Sequence, residues 1–186
     1  MMLLPLLAAL LAPSPAASRE LTPGERALLA PLFRDAVDYG AIRIVRGRAF
    51  PLQGSHTLVT LRAAVYAPDP VYLDDYARAG AEGQAVLVHE VAHVWQHSNG
   101  IDVIAGAMRA FIATGGRYGR AYRYELRPGR DLLDYGIEQQ ASILEHYFLA
   151  RGQAAARFGG VLRRFLADPR YPRAWRPPRA RRAPRS

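Results

Sequence analysis

Residues 86–100 read VLVHEVAHVWQHSNG and hold three of the five histidines in the 186-residue chain. The centre, His89-Glu90-Val91-Ala92-His93, has the spacing H-E-x-x-H. On an α-helix, residues i and i+4 share a face, so His89 and His93 can turn both rings towards one ion. Glu90 follows the first ring directly and can act from the side, as a general base, on a water at that ion. The neighbours Val86, Leu87, Val88, Val91, Val94 and Trp95 are apolar and predict a buried helix from Glu82 to Ser98, stopped by Gly100. Imidazoles buried in such a helix without a metal would need other polar partners. The pattern thus offers two ligands and a base, and zinc, which takes imidazole nitrogen without redox chemistry, is the expected cofactor.

A catalytic zinc needs a third protein ligand. His97 lies about 80° further round the helix than His89, and three ligands on one straight helix converge poorly. The alternative pair His93 and His97 leaves no glutamate beside a ligand. The longer pattern H-E-x-x-H-x-x-G-x-x-H fails, because position 96 is Gln and position 99 is Asn. A later helix, predicted over 136–150 in YGIEQQASILEHYFLARG, carries Glu138, Glu145 and His146. Glu138 stands in its first turn beside the small Ala141 and Ser142, which allow close approach to the first helix. It is the expected third ligand. Glu145, seven residues on and on the same face, is a candidate to hold a ligand from behind. His146 and His56 read as ordinary structural histidines. The tyrosines of 118–135 can line a cleft, and one can stabilise an oxyanion.

The chain has no cysteine, so any metal takes His, carboxylate or water. All 25 basic residues are arginine, and seven of them fall in residues 170–186, a segment without an acid. The rest of the chain is nearly neutral, so most of the net charge of +9 belongs to the tail. Residues 169–186, rich in Arg and Pro, are expected to be disordered. No nucleic-acid fold is visible, and nucleic acid is not an expected partner. The opening MMLLPLLAALLAPSPAAS, 1–18, has an apolar run of about ten residues, the length of a signal-peptide core and too short to span a bilayer. The chain is therefore expected to be exported if that segment is cleaved and cytoplasmic otherwise, with no transmembrane segment in the mature form.

Between these ends, 19–168 is expected to be one domain. Thr22, Pro23 and Glu25 spell a helix start with a capping box, and the apolar period from Leu28 to Val37 carries that helix to Gly40. AIRIVRG reads as one strand and HTLVTLRAAVY, 56–66, as a second. A short helix is expected over 72–79, a buried one over 101–113, a loop over 114–134 and a last helix over 153–167.

H-E-x-x-H with a downstream Glu138-Gln139-Gln140-Ala141 looks like the gluzincin metallopeptidases. YAPDPVYLDDYARAGAEGQAVLVHEVAHVWQH, 66–97, resembles the small metallopeptidase domains attached to bacterial polymorphic toxins and contractile injection systems. With LTPGE in front and YGIEQQASILEHYFLARG behind, residues 20–152 are similar to proteins called Vgr-related or Rhs-associated. The resemblance implies an α+β, zincin-like fold, mostly helical with a small antiparallel or mixed sheet beside the active-site helix. It also implies His89, His93 and Glu138 as zinc ligands and Glu90 as base. The expected function is hydrolysis of a peptide or protein substrate by a water that Glu90 activates. The alternative is a zinc-binding, non-proteolytic accessory module that docks on a secretion-system or toxin partner.

Overall fold

The computed structural model describes residues 18–103, 105, 106, 118–150 and 153–174. The expected signal segment up to residue 17, most of the helix expected over 101–113, and the tail from 175 lie outside the described residues.

A buried carboxylate organises the first third of the domain. Thr22 caps helix α1 (Pro23–Phe33): its hydroxyl accepts from Glu25 N at 3.0 Å, while Glu25 accepts from Thr22 N at 2.8 Å. This is the capping box read from the sequence. Glu25 is fully buried, and it also accepts both terminal nitrogens of Arg19 and the backbone N of Tyr76, each at 2.8 Å. A buried charge is tolerated when its lone pairs are met. One side chain thereby ties together strand β1 (Ser18–Glu20), α1 and the segment before Tyr76. α1 ends at Phe33 rather than at Gly40. Pro31 sits in its last turn, where it cannot donate to the helix ladder, and Arg34 leaves the helical region with φ 46°. The apolar period continues because Ala36 and Val37 are still buried, as a turn.

The strand expected over 56–66 is two strands. β3 (Val59–Leu61) and β4 (Ala64–Ala67) form a hairpin turning at Arg62 and Ala63, with Val59 opposite Tyr66 and Leu61 opposite Ala64. Arg62 takes φ 57°, the positive value a two-residue hairpin turn needs, without the Gly or Asn that usually signals it. β2 (Arg43–Arg46) pairs parallel to β4 and antiparallel to β1, giving a mixed sheet of order β1-β2-β4-β3. The helix expected over 72–79 is a 3₁₀ turn, Tyr76–Arg78. Along β3 successive side chains alternate faces, and Thr60 is the one turned inwards, buried against the next helix.

That helix, α2 (Ala81–Ser98), is the spine of the core. Trp95, fully buried, meets Phe165 of α5 (Gly159–Ala167) edge-on at 5.1 Å, and Phe165 meets Phe33 of α1 at 6.1 Å. α3 (Ile137–Leu149) packs on α2 through the buried Ala141 and Ser142. The last helical stretch is split in two, with α4 (Gln153–Ala156) preceding α5. The architecture is α+β, five α-helices and a four-stranded mixed sheet among the described residues.

The chain also stays on the domain beyond 168. Trp95 Nε1 donates to Pro169 O at 2.7 Å, the Tyr171 hydroxyl to Asp131 at 2.7 Å, and Arg173 Nε to Asn99 Oδ1 at 2.9 Å. Truncation after residue 168 should therefore cost about 3 kcal/mol of stability, at roughly 1 kcal/mol per hydrogen bond lost. Truncation after 174 keeps all three bonds, so its urea midpoint should stay near that of the full chain.

Candidate metal centre

His89 and His93 stand one turn apart on α2, both 7 % exposed, and Glu138 opens α3 opposite them at 5 %. Glu138 Oε2 lies 3.4 Å from His89 Nε2 and 3.3 Å from His93 Nε2. The three groups can each offer one atom to a common point, and these atoms lie within 4.8 Å of one another. Zinc bonds to nitrogen and carboxylate of about 2.0–2.1 Å give tetrahedral edges near 3.3–3.4 Å, the two separations seen to Glu138. The cluster can hold a metal ion.

The far sides of both rings define which nitrogen faces the cluster. His93 Nδ1 lies 2.8 Å from Gln96 Oε1. Gln96 is fully buried, and its amide NH₂ donates to Ile137 O at 2.8 Å and to Gln140 Oε1 at 3.0 Å. The Gln96 oxygen must therefore face the ring, and His93 Nδ1 must be the donor. Gln140 is held in turn by donating to Tyr135 O at 2.7 Å. His89 Nδ1 lies 2.9 Å from Glu145 Oε2, a carboxylate that accepts. With both Nδ1 protons directed outwards, each neutral ring presents its Nε2 lone pair to Glu138. The same contacts lock α2 to α3, so the geometry of the cluster is part of the helix packing.

Burial works against a charge on these rings, yet both are raised. His89 is pushed up from 6.5 to about 10: burial opposes the proton, and bonds to Glu138 and Glu145 with the nearby Glu90 overcome it. His93 is raised as well: burial opposes the proton, and the bond to Glu138 and its charge outweigh that. Three carboxylates therefore surround the pair and call for positive charge, which protons or a cation can supply.

Glu90 is buried at 6 % and held by Thr60 of β3, whose hydroxyl lies 2.7 Å from Glu90 Oε2 and 3.2 Å from its backbone O. Tyr122 leans over His89 with ring centroids 5.7 Å apart and bonds to Glu138; burial and the charges of Glu138 and Glu90 raise its hydroxyl well above the usual tyrosine value. Thr60, Gln96 and Tyr122 are the neighbours that sequence reasoning did not pick out. Gln96 figured there only as the residue that breaks a longer motif. His97 is exposed and turned away, and His146 pairs instead with the Tyr124 hydroxyl at 2.7 Å. His56 is exposed in the loop before β3, beside Ser55.

Two outcomes follow for metal binding. Glu145→Gln and Gln96→Leu should each weaken zinc affinity by about 10–100-fold in a competition titration, since each frees a ring to turn. The raised His89 stabilises the metal-free fold below pH 6.5, and that contribution is lost as pH climbs to about 10. Metal-free protein should thus melt at lower temperature at pH 9 than at pH 6, and added zinc should raise the melting temperature more at pH 9.

No family model matches the chain. It is 35% identical over 163 residues to the type VI secretion system spike protein VgrG2b of Pseudomonas aeruginosa, an alignment covering 82% of this chain and 16% of that protein. The chain thus spans only a small part of the length of this relative. The solved structure of the effector domain of Pseudomonas aeruginosa VgrG2b matches with a TM-score of 0.72 and 32% identity, over 84% of this chain and 90% of that domain. Sequence and fold together show that the chain belongs to the family of the VgrG2b effector domain.

Proposed function

We propose that this chain is a secretion-system effector domain that binds zinc through His89, His93 and Glu138 and hydrolyses peptide bonds, with a gluzincin-like site on a zincin-like fold. The observation that carries the reading is the outward locking of both Nδ1 atoms, which commits two Nε2 lone pairs and one Glu138 oxygen to the same point. Bound there, zinc would supply Lewis acidity, acidifying water and polarising a carbonyl. Glu90 then serves as general base: it takes the proton of the attacking water and returns it to the departing amine. Thr60 fixes one Glu90 oxygen and leaves the other for that water. β3 lies at the sheet edge, with Thr60 beside Glu90, so an extended peptide paired to β3 would pass the base. The apolar run within residues 1–18 supports export as part of the same reading.

A second reading keeps the metal and drops the turnover: a zinc-binding accessory or interaction module of the secretion machinery. The match to a spike protein's effector domain favours it to the extent that a secretion-system partner needs no chemistry.

The two separate on one residue. Glu90→Gln keeps shape and ligands, so it should retain one zinc per chain and lower peptide hydrolysis by about 10²–10⁴-fold, the usual contribution of a general base. Thr60→Val should lower kcat about tenfold through the lost bond to a charged group. A wild-type protein that binds zinc and cleaves no member of a broad peptide library would support the second reading and sink the first.

A further inference from the structure

Beside the candidate metal centre lies an open cleft of about 660 Å³ that begins at Tyr122, the same side chain that leans on His89. Tyr124, Leu126, His146 and Phe158 line it, a mostly aromatic wall in which His146 is paired with the Tyr124 hydroxyl at 2.7 Å. Its rim is cationic: Arg123 and Arg157 both line it. Phe158 is fully buried, and the Arg157 guanidinium rests over its ring at 4.8 Å, which orients that charge at the cleft edge. The backbone of Arg123 is fixed from below, where Gln139 Nε2 donates to Arg123 O at 2.7 Å. The same loop is stitched by the Tyr135 hydroxyl, which accepts from Arg127 N and donates to Glu125 O, each at 3.0 Å.

The two guanidiniums lack a counter-charge. All 16 acidic residues of the chain lie among the described residues, and neither Arg123 nor Arg157 stands in an ion pair there. The carboxylates around the metal centre are already engaged. Glu138 faces both histidines, Glu145 holds His89 Nδ1, and Glu90 is held by Thr60. Two exposed arginines outside any ion pair, the Arg157 guanidinium held over Phe158, beside an aromatic wall form a receptor for a carboxylate carried on a short aliphatic stem.

We propose that this cleft is the specificity pocket of the site and receives a carboxylate of the substrate peptide, on an acidic side chain or at a free C-terminus. The word substrate rests on the peptidase reading above; the binding itself does not.

The test uses zinc-loaded Glu90→Gln protein, which holds a peptide without turning it over. Fluorescein-labelled alanine heptapeptides carry one Glu at each position in turn, beside Gln twins, each with a free and an amidated C-terminus. Anisotropy titrations at 0.15 M salt give the Kd values. One member should bind at least about tenfold tighter than its neutral twin, the ratio a charge-assisted hydrogen bond supplies. The doubly substituted Arg123→Gln/Arg157→Gln protein should bring that ratio within about twofold while keeping its zinc. A preference that follows Glu assigns the side chain, and one that follows the free terminus assigns the chain end. Ratios near one throughout, absence of binding, or a preference that survives the double substitution would overturn the proposal. Wild-type protein digested with the same peptides separates the two claims. Acid-selective binding without cleavage sinks the peptidase reading and keeps the pocket. Cleavage indifferent to the carboxylate does the reverse.

Discussion

Two bonds on the far sides of two imidazoles govern the rest of this structure. His89 Nδ1 faces Glu145 and His93 Nδ1 faces Gln96. A histidine free to rotate or to exchange tautomers would be a poor ligand and a costly buried group. Here each ring has one orientation that satisfies its outer proton, and that orientation turns Nε2 to Glu138. The His89–Glu145 bond also crosses between α2 and α3, so helix packing and the geometry of the cluster are the same constraint. Ala141 and Ser142 keep the helices near enough for it to hold. Gln96 adds a second crossing through Ile137 O and Gln140.

The scaffold around this pair is built to resist what the cluster would otherwise do. Three buried ionisable groups favour water entry or helix separation unless apolar packing opposes it. Trp95, Phe165 and Phe33 form that opposition on the other side of α2. Arg34 adds a tie by donating to the last carbonyls of α5, at Leu166 and Ala167. The sheet contributes position more than bulk: Thr60 alternates inwards on the edge strand and meets Glu90. Glu90 is thereby anchored to an element different from the one that carries its own backbone.

How much of this was legible in the sequence follows from the range of each interaction. His89, Glu90 and His93 were readable because an i, i+4 spacing on a helix is a local rule. So was the Thr22–Glu25 capping box. Glu138 and Glu145 were reachable one step further, because they share a face of a second amphipathic helix. The hairpin at Arg62 and Ala63 was not, since its turn lacks Gly or Asn and the apolar alternation runs straight through it. The end of α1 at Phe33 was hidden for a related reason: Ala36 and Val37 keep the helical period but bury as a turn. Tyr122, and Arg123 with Arg157, come together only through tertiary contacts, and no spacing encodes those. Gln96 is the instructive case, because judged against a longer motif it stood where a glycine was wanted, and in the fold it orients the His93 ring.

The family places this chain beside the effector domain of a secretion-system spike, and the site gives that kinship a chemistry to examine. X-ray absorption at the zinc edge of the purified, zinc-loaded protein examines it most directly. The account predicts two imidazole nitrogens and carboxylate or water oxygen at about 2.0–2.1 Å. The outer-shell imidazole signal should fall by half in His93→Ala. A zinc signal with no imidazole scattering, or one unchanged by His93→Ala, would contradict it.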